Sequence, residues 1–257
     1  MNSGPALVIG EWNGVTIEVS ATGNTIGGTA AGSANVISGN TGDGIRITNA
    51  PGNTVAGNRI GIAAGSSAAI ANGQNGIRIQ GASSTNNVIG GITSDAANLI
   101  YNSALRGVTL EATAGAGNSI LRNSISASGN LGIDLNNDGL TANDANDVDG
   151  GSNNRQNFPL LFNAQVLGAT TRVVGLLQSE AIKNYRIEFF NNPTGTEDGS
   201  GYGEGLQSWA RSTSRPMRPV SLIDETRRLR DHHRSRDRRH SHGAGRRLFR
   251  AAPRNSP

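Results

Sequence analysis

Five short segments, each opened by a glycine, recur along the chain: Gly14-Val-Thr-Ile-Glu, Gly44-Ile-Arg-Ile-Thr, Gly76-Ile-Arg-Ile-Gln, Gly107-Val-Thr-Leu-Glu and Gly132-Ile-Asp-Leu. Their first aliphatic residues, Val15, Ile45, Ile77, Val108 and Ile133, are separated by 30, 32, 31 and 25 positions. Each segment alternates apolar and polar residues with the period of a strand, and no 3.6-residue helical pattern appears in this region. A strand of four residues cannot bury its apolar side alone. The repeat therefore demands stacking, coil on coil, with aliphatic side chains above one another and backbone hydrogen bonds running between coils.

Two further motifs share this period. Asn precedes an aliphatic residue in Asn24-Thr-Ile-Gly-Gly, Asn53-Thr-Val-Ala-Gly-Asn, Asn87-Val-Ile-Gly-Gly and Asn118-Ser-Ile-Leu-Arg-Asn, and again in Asn35-Val-Ile-Ser-Gly-Asn and Asn98-Leu-Ile-Tyr-Asn. The offsets from 24 to 87, 35 to 98 and 45 to 108 are all 63, so two coils of unequal type form a higher-order repeat. Asn at strand borders tolerates left-handed corners and stacks its amide in ladders, which is its structural role; a row of polar ligands is the functional alternative. The expected fold is all-β, a right-handed parallel β-helix, because crossovers between parallel strands are overwhelmingly right-handed.

Composition fits thin repeated layers better than a thick globular core: Gly occurs 36 times and aromatic residues make up only 4%. The formal charge of +4 hides two opposed segments. Residues 1–207 carry nine Lys and Arg against 15 Asp and Glu, a net of −6, whereas residues 208–257 carry 14 Arg against four acids, a net of +10. There is no cysteine, hence no disulfide framework. The first 11 residues lack the basic and apolar regions of a signal peptide, and no run reaches the length of a membrane span. Because the repeat is already under way at Gly14, a missing N-terminal portion is expected.

The expected organisation is a parallel β-helix over 1–135, an Asp/Asn-rich linker or cap over 136–158, a partial β-sandwich-like module over 159–207 and a disordered Arg-rich tail over 208–257. Thr171-Arg-Val-Val-Gly-Leu-Leu and Tyr185-Arg-Ile-Glu-Phe-Phe supply two alternating strands of the module, too few for a complete sandwich. The tail, with all four His, reads literally as a polycationic arm for nucleic acid or anionic surfaces, a partner that its lack of aromatic interleaving disfavours. It also reads as a frameshift near Leu206: in the neighbouring frame the codons of Trp209 and Ala210 force a glycine, and the rest admit a strand and turn.

Asn24-Thr-Ile-Gly-Gly, Asn35-Val-Ile-Ser-Gly-Asn and Gly44-Ile-Arg-Ile, over about residues 14–207, resemble the bacterial right-handed parallel β-helix repeat proteins of the pectin-lyase-like superfamily. The resemblance extends to the order of the later segments, Asn157-Phe-Pro-Leu-Leu, Tyr185-Arg-Ile-Glu-Phe-Phe and Gly201-Tyr-Gly-Glu-Gly. It implies an exported or surface-displayed protein, and it leaves activity open, since the superfamily holds lyases, hydrolases and non-enzymes. Polygalacturonase-like members use clustered carboxylates and a His, and residues 1–207 contain no His. Pectate-lyase-like members use calcium-held carboxylates with an Arg or Lys base.

Here Arg46 and Arg78 occupy the same outward slot of successive coils, with Asp43 nearby. These three are the candidate glycan-contacting residues, because spaced guanidinium groups pair with carboxylates on acidic glycans; a solvated outer face is the plainer reading. Asp134-Leu-Asn136-Asn-Asp138-Gly139 places oxygen ligands at alternate positions before a turn, like the first half of a calcium loop. Ala145 stands where a bidentate Glu belongs, so Asp144, Asp147 and Asp149 would have to complete an irregular Ca2+ site with Asp134, Asn136 and Asp138. The expected function is a non-catalytic exported β-helix acting as a rigid spacer or as a module that contacts a polysaccharide or cell-surface component. The rivals are a polysaccharide lyase or hydrolase using Asp43 with Arg46, and polyanion binding through the tail.

Resequencing the gene tests the tail directly. A frame change near Leu206 is expected; an intact frame, with peptides of residues 208–257 found by mass spectrometry, contradicts it.

Overall fold

The computed structural model describes residues 12–168, 170–192, 202–214, 220–228 and 249–253. Three strands make each coil. The first coil holds β1 (Val15–Glu18), β2 (Thr25–Gly27) and β3 (Val36–Ile37); the second holds β4 (Ile45–Thr48), β5 (Thr54–Ala56) and β6 (Arg59–Ile60). The third holds β7 (Ile77–Gln80), β8 (Val88–Gly90) and β9 (Leu99–Tyr101), the fourth β10 (Val108–Glu111), β11 (Ser119–Leu121) and β12 (Ser124–Ser126), and β13 (Ile133–Asn136) follows. Like strands stack into three parallel sheets, ordered β1-β4-β7-β10-β13, β2-β5-β8-β11 and β3-β6-β9-β12. This is the parallel β-helix that the repeat requires. Among the described residues there is no α-helix, only three short 3-10 turns.

The register stacks the aliphatic residues as the period dictates. Val15 pairs with Ile45, Ile45 with Ile77, Ile77 with Val108 and Val108 with Ile133. The second inward column runs Ile17, Ile47, Ile79, Leu110 and Leu135, and the other two sheets add Ile26-Val55-Ile89-Ile120 and Ile37-Ile60-Ile100-Ile125. Ile45, Ile77 and Val108 are wholly buried and belong to one core. The opening glycines allow the coils to approach: a Cβ on Gly44, Gly76 or Gly107 would lie 2.6 Å from the carbonyl oxygen of the next glycine in the column.

Polar corners are closed by asparagine ladders. Asn24, Asn53, Asn87 and Asn118 each accept at Oδ1, or donate to it, in the neighbouring coil: Asn53 sends both its backbone N–H (2.8 Å) and its Nδ2–H (3.2 Å) to Asn87 Oδ1, and Asn87 does the same to Asn118 at 3.0 and 2.9 Å. Asn35, Asn58, Asn98 and Asn123 repeat the pattern at a second corner. Asn53, Asn58, Asn87, Asn98 and Asn118 have no solvent exposure, so their donors must be met inside the stack, by these rungs and by nearby backbone carbonyls such as Ala21 and Pro51 for Asn53 and Ile26 and Ala56 for Asn58. The left-handed corners belong to other asparagines, among them Asn49, Asn86 and Asn102.

Segment 136–158 crosses the end of the helix. Left-handed Asn136 and Asn137 fold it back over the outer face, where Asn137 Nδ2 reaches Glu111 at 3.0 Å. Asn153, also left-handed, then presents Oδ1 to the backbone N–H of Asn118 at 3.0 Å and supplies a fifth rung to the first ladder.

Beyond it, β14 (Leu160–Leu167), β15 (Thr170–Gln178), β16 (Tyr185–Asn191), β17 (Gln207–Ser214), β18 (Val220–Arg228) and β19 (Phe249–Pro253) form two antiparallel sheets, β14-β15-β18 and β17-β16-β19. Val173, Leu177, Tyr185, Ile187 and Phe189 make their shared core. Three of these strands stand where a disordered tail is expected. The reason lies in β15 and β16: their buried backbone edges need hydrogen-bond partners, and β17, β18 and β19 supply them. The rest of the tail, including His232, His233, His240 and His242, lies outside the described residues.

Replacing Asn87 by Ala removes the acceptor of two buried donors on Asn53 and should destabilise the protein by about 2–4 kcal/mol in urea unfolding. Asn24→Ala, at the exposed end of the same ladder, removes only a donor to Asn53 and should lose less; equal losses in the two variants would contradict the ladder.

Candidate functional site

The outer face of the first sheet carries the charged rows. Arg46 and Arg78 are register partners, and their side chains are 32% and 29% exposed. Neither guanidinium is left facing solvent without a carboxylate. Arg46 Nη2 donates to Glu18 at 2.8 Å, one coil back, and Arg78 Nε lies 2.8 Å from Glu111 Oε1, one coil forward. Asp43, only 1% exposed, takes an asparagine's place at a coil corner: its Oδ1 accepts from the backbone N–H and Nδ2 of Asn75 at 3.1 and 2.8 Å. Its other oxygen stands 4.0 Å from Arg78. The three glycan-contacting candidates thus lie close together, but Asp43 serves the corner and the arginines are engaged with neighbouring coils.

The six oxygen residues of segment 134–149 separate into two groups. Asp134 is fully buried, with Oδ2 2.6 Å from Arg106 Nε and accepting the Gly139 N–H at 3.1 Å. Asn136 donates to Asp138, which faces Arg155 at 3.6 Å.

Asp144, Asp147 and Asp149 converge instead, with one oxygen of each within 4.8 Å of the others. Asp147 is the buried member. Its Oδ1 accepts the Asn157 N–H at 2.9 Å and its Oδ2 accepts the Ser179 hydroxyl. Burial, then the charges of Asp144 and Glu180, push its carboxyl above the ordinary range, against the pull of those two hydrogen bonds. Asp149 is raised by burial and by Asp144. Asp144 Oδ1 and Asp149 Oδ1 are hidden from solvent with no hydrogen-bond partner among the described residues. Three hard oxygen donors with two orphaned oxygens fit a calcium ion, which takes carboxylate, carbonyl and water oxygens in flexible geometry.

A second feature was invisible in the sequence pattern. The end of the helix meets the antiparallel module around a cavity of about 290 Å³, walled by Ile120, Ile125, Leu135, Phe158 and Phe190. Acceptors from the module close the last coil's open donors. Glu188 Oε2 takes the Arg122 N–H at 2.7 Å, Glu204 Oε1 the Ser128 N–H at 2.9 Å, and the Gly205 carbonyl the Ile125 N–H at 3.2 Å. Glu188 is itself buried against Arg186 at 2.5 Å, so strand β16 hides charge on the face where alternation alone would expect solvent. The tandem Arg-Ile-Glu in a strand was the available signal.

Fold and site define a parallel β-helix whose final coil is closed by an antiparallel two-sheet module. A scan against protein-family models found no match, and no curated protein matches the chain. No helix among the described residues is long and apolar enough to cross a membrane.

The raised carboxyls fix a sign for pH dependence. A carboxyl whose pKa is higher in the folded protein than in the unfolded chain gives stability that is full below the ordinary value of 3.8 and declines as pH rises through the raised value. In chelator-treated protein, Asp149→Asn should therefore flatten the fall of stability from acid toward neutral pH, measured by urea unfolding; an unchanged slope would contradict the cluster's electrostatics.

Proposed function

We propose that this chain is a non-catalytic β-helix of an exported or surface-displayed protein, working as a rigid spacer that offers its outer sheet face to a glycan or surface component. The observation that carries the reading is the internal pairing of charge on that face. Glu18 with Arg46, Arg78 with Glu111 and Arg106 with Asp134 join successive coils like staples. Groups held this way stiffen the stack. A general acid or base must instead be free to exchange a proton with a bound substrate.

Rigidity follows from the same architecture, since each coil adds about 4.8 Å of length and is bonded to its neighbours along three sheets. The resemblance to exported repeat proteins of the pectin-lyase-like superfamily supports a place outside the cell and a role among polysaccharides. Contact with an acidic glycan would run through Arg46 and Arg78, whose side chains keep about a third of their surface.

Calcium belongs to the same proposal as a brace. Asp144, Asp147 and Asp149 lie between the helix end and the module, and Asp147 already ties Asn157 to Ser179. A cation there would offset the burial and the mutual repulsion that raise Asp147 and Asp149.

Two measurements test this. Incubation with pectin, alginate and polygalacturonate should release no unsaturated products; release that Arg46→Ala abolishes would overturn the non-catalytic reading. Calcium should raise the melting temperature by a few degrees over chelator-treated protein, about the shift that binding linkage gives for a ligand in excess. That rise should vanish in Asp149→Asn, and a rise equal in wild type and variant would remove the ion from this cluster.

A further inference from the structure

The cavity between the last coil and the antiparallel module has the features of a ligand site rather than of a packing fault. Its volume of about 290 Å³ sits at the lower end of the range for small-molecule pockets, roughly 300–1,000 Å³. Its walls are chiefly aliphatic and aromatic. Leu140 and Leu160, both among its lining residues, are 48% and 44% exposed, which gives the cavity an apolar rim at the surface.

The polar residues of the lining include Glu188 and Glu204, both bonded to the last coil; Gln156 is the one whose side chain stands apart. Gln156 is only 8% exposed, yet neither its Oε1 nor its Nε2 finds a hydrogen-bond partner among the described residues. Every other buried amide described above is spoken for: Asn118, Asn123 and Asn153 line the same cavity and are locked in the ladders. Arg122, also in the lining, has a buried Nε without a partner. Buried polar groups are ordinarily paired, and a planar donor–acceptor edge left unpaired in an apolar pocket is the means by which such pockets orient a ligand.

We propose that this cavity binds a small, mainly apolar molecule bearing one carboxamide or carboxyl group, with Gln156 as the residue that recognises it. The side-chain amide of Gln156 offers one acceptor and one donor in a single plane, the complement of another amide or of an un-ionised acid. Arg122 adds a donor for a second lone pair. The apolar body of the ligand would fill the space beside Ile125, Leu135 and Phe190, against both the helix end and the module. Binding would consequently fasten the two together. The site is separate from the outer face and from the carboxylate cluster, so it stands or falls independently of the spacer reading.

The test uses the full chain, with benzamide as the amide probe and ethylbenzene as an apolar probe of similar shape. Benzamide at millimolar concentration should shift the backbone amide resonances of Ile120, Ile125 and Phe190. Gln156→Leu, which replaces an unpaired amide by a hydrocarbon of similar size, should fold with an unchanged or higher melting temperature. It should bind benzamide roughly tenfold more weakly, as expected for the loss of its hydrogen bonds, and ethylbenzene more tightly than wild type. Absence of benzamide shifts at these residues would overturn the proposal. So would equal benzamide affinity in wild type and Gln156→Leu.

Discussion

At two corners of each inner coil of this β-helix a backbone N–H, such as that of Asn53 or Asn58, is buried where water cannot reach it. What accepts it is the side-chain oxygen of an asparagine in the adjacent coil, as Asn87 Oδ1 does for Asn53 and Asn98 Oδ1 for Asn58. An orphaned buried donor costs about 1–3 kcal/mol, so a coil lacking its neighbour would leave its corners unsatisfied as well as its aliphatic column uncovered. The unit of stability is therefore the pair of coils, and a stack of such pairs requires an end. Asn153, Glu188 and Glu204 provide it, each offering one oxygen to the last coil's N–H groups. Capping of this kind is how an edge of parallel strands is kept from recruiting another chain.

The same dependence of coil on coil explains the fate of the charged residues. Arginines and acids on the outer face meet one coil apart, which turns groups that would otherwise form a solvated surface into links along the stack. Exposed ion pairs contribute little each, about 0–1 kcal/mol. Arg106 with the fully buried Asp134 is a different case, because breaking it would leave a carboxylate alone in the interior. Both kinds serve the architecture first, and this is the physical ground for reading the protein as a spacer. Among the buried polar atoms without a partner in the described residues, the oxygens of Asp144 and Asp149 and the amide of Gln156 lie near the junction with the antiparallel module.

Much of this was legible in the residues themselves. The spacing of Val15, Ile45, Ile77 and Val108 yields the register, and the recurrence of Asn24, Asn53 and Asn87 yields the first ladder, because both depend only on period. Period says nothing about Asn153, Glu188 or Glu204. They reach the last coil across 35, 66 and 76 residues, through a fold-back and a second domain whose docking no local pattern encodes. Asp43 misleads for a related reason: beside Arg46 it looks like surface chemistry, while its place in the corner makes it a substitute asparagine. The candidate calcium loop read as one string of six ligands, yet the left-handed pair Asn136 and Asn137 breaks it in two. Strands in the basic segment were unreadable because they answer to the free edges of β15 and β16, whatever their own composition.

Native-state hydrogen exchange at the ladder asparagines reaches the central claim most directly. If side-chain oxygens of neighbouring coils hold the corners, the backbone amides of Asn53, Asn58, Asn87 and Asn98 should exchange as slowly as those of Ile47 and Ile79 in the strands, opening only with the whole stack. Exchange at these four positions as fast as at Gly65, in an exposed turn, would contradict it.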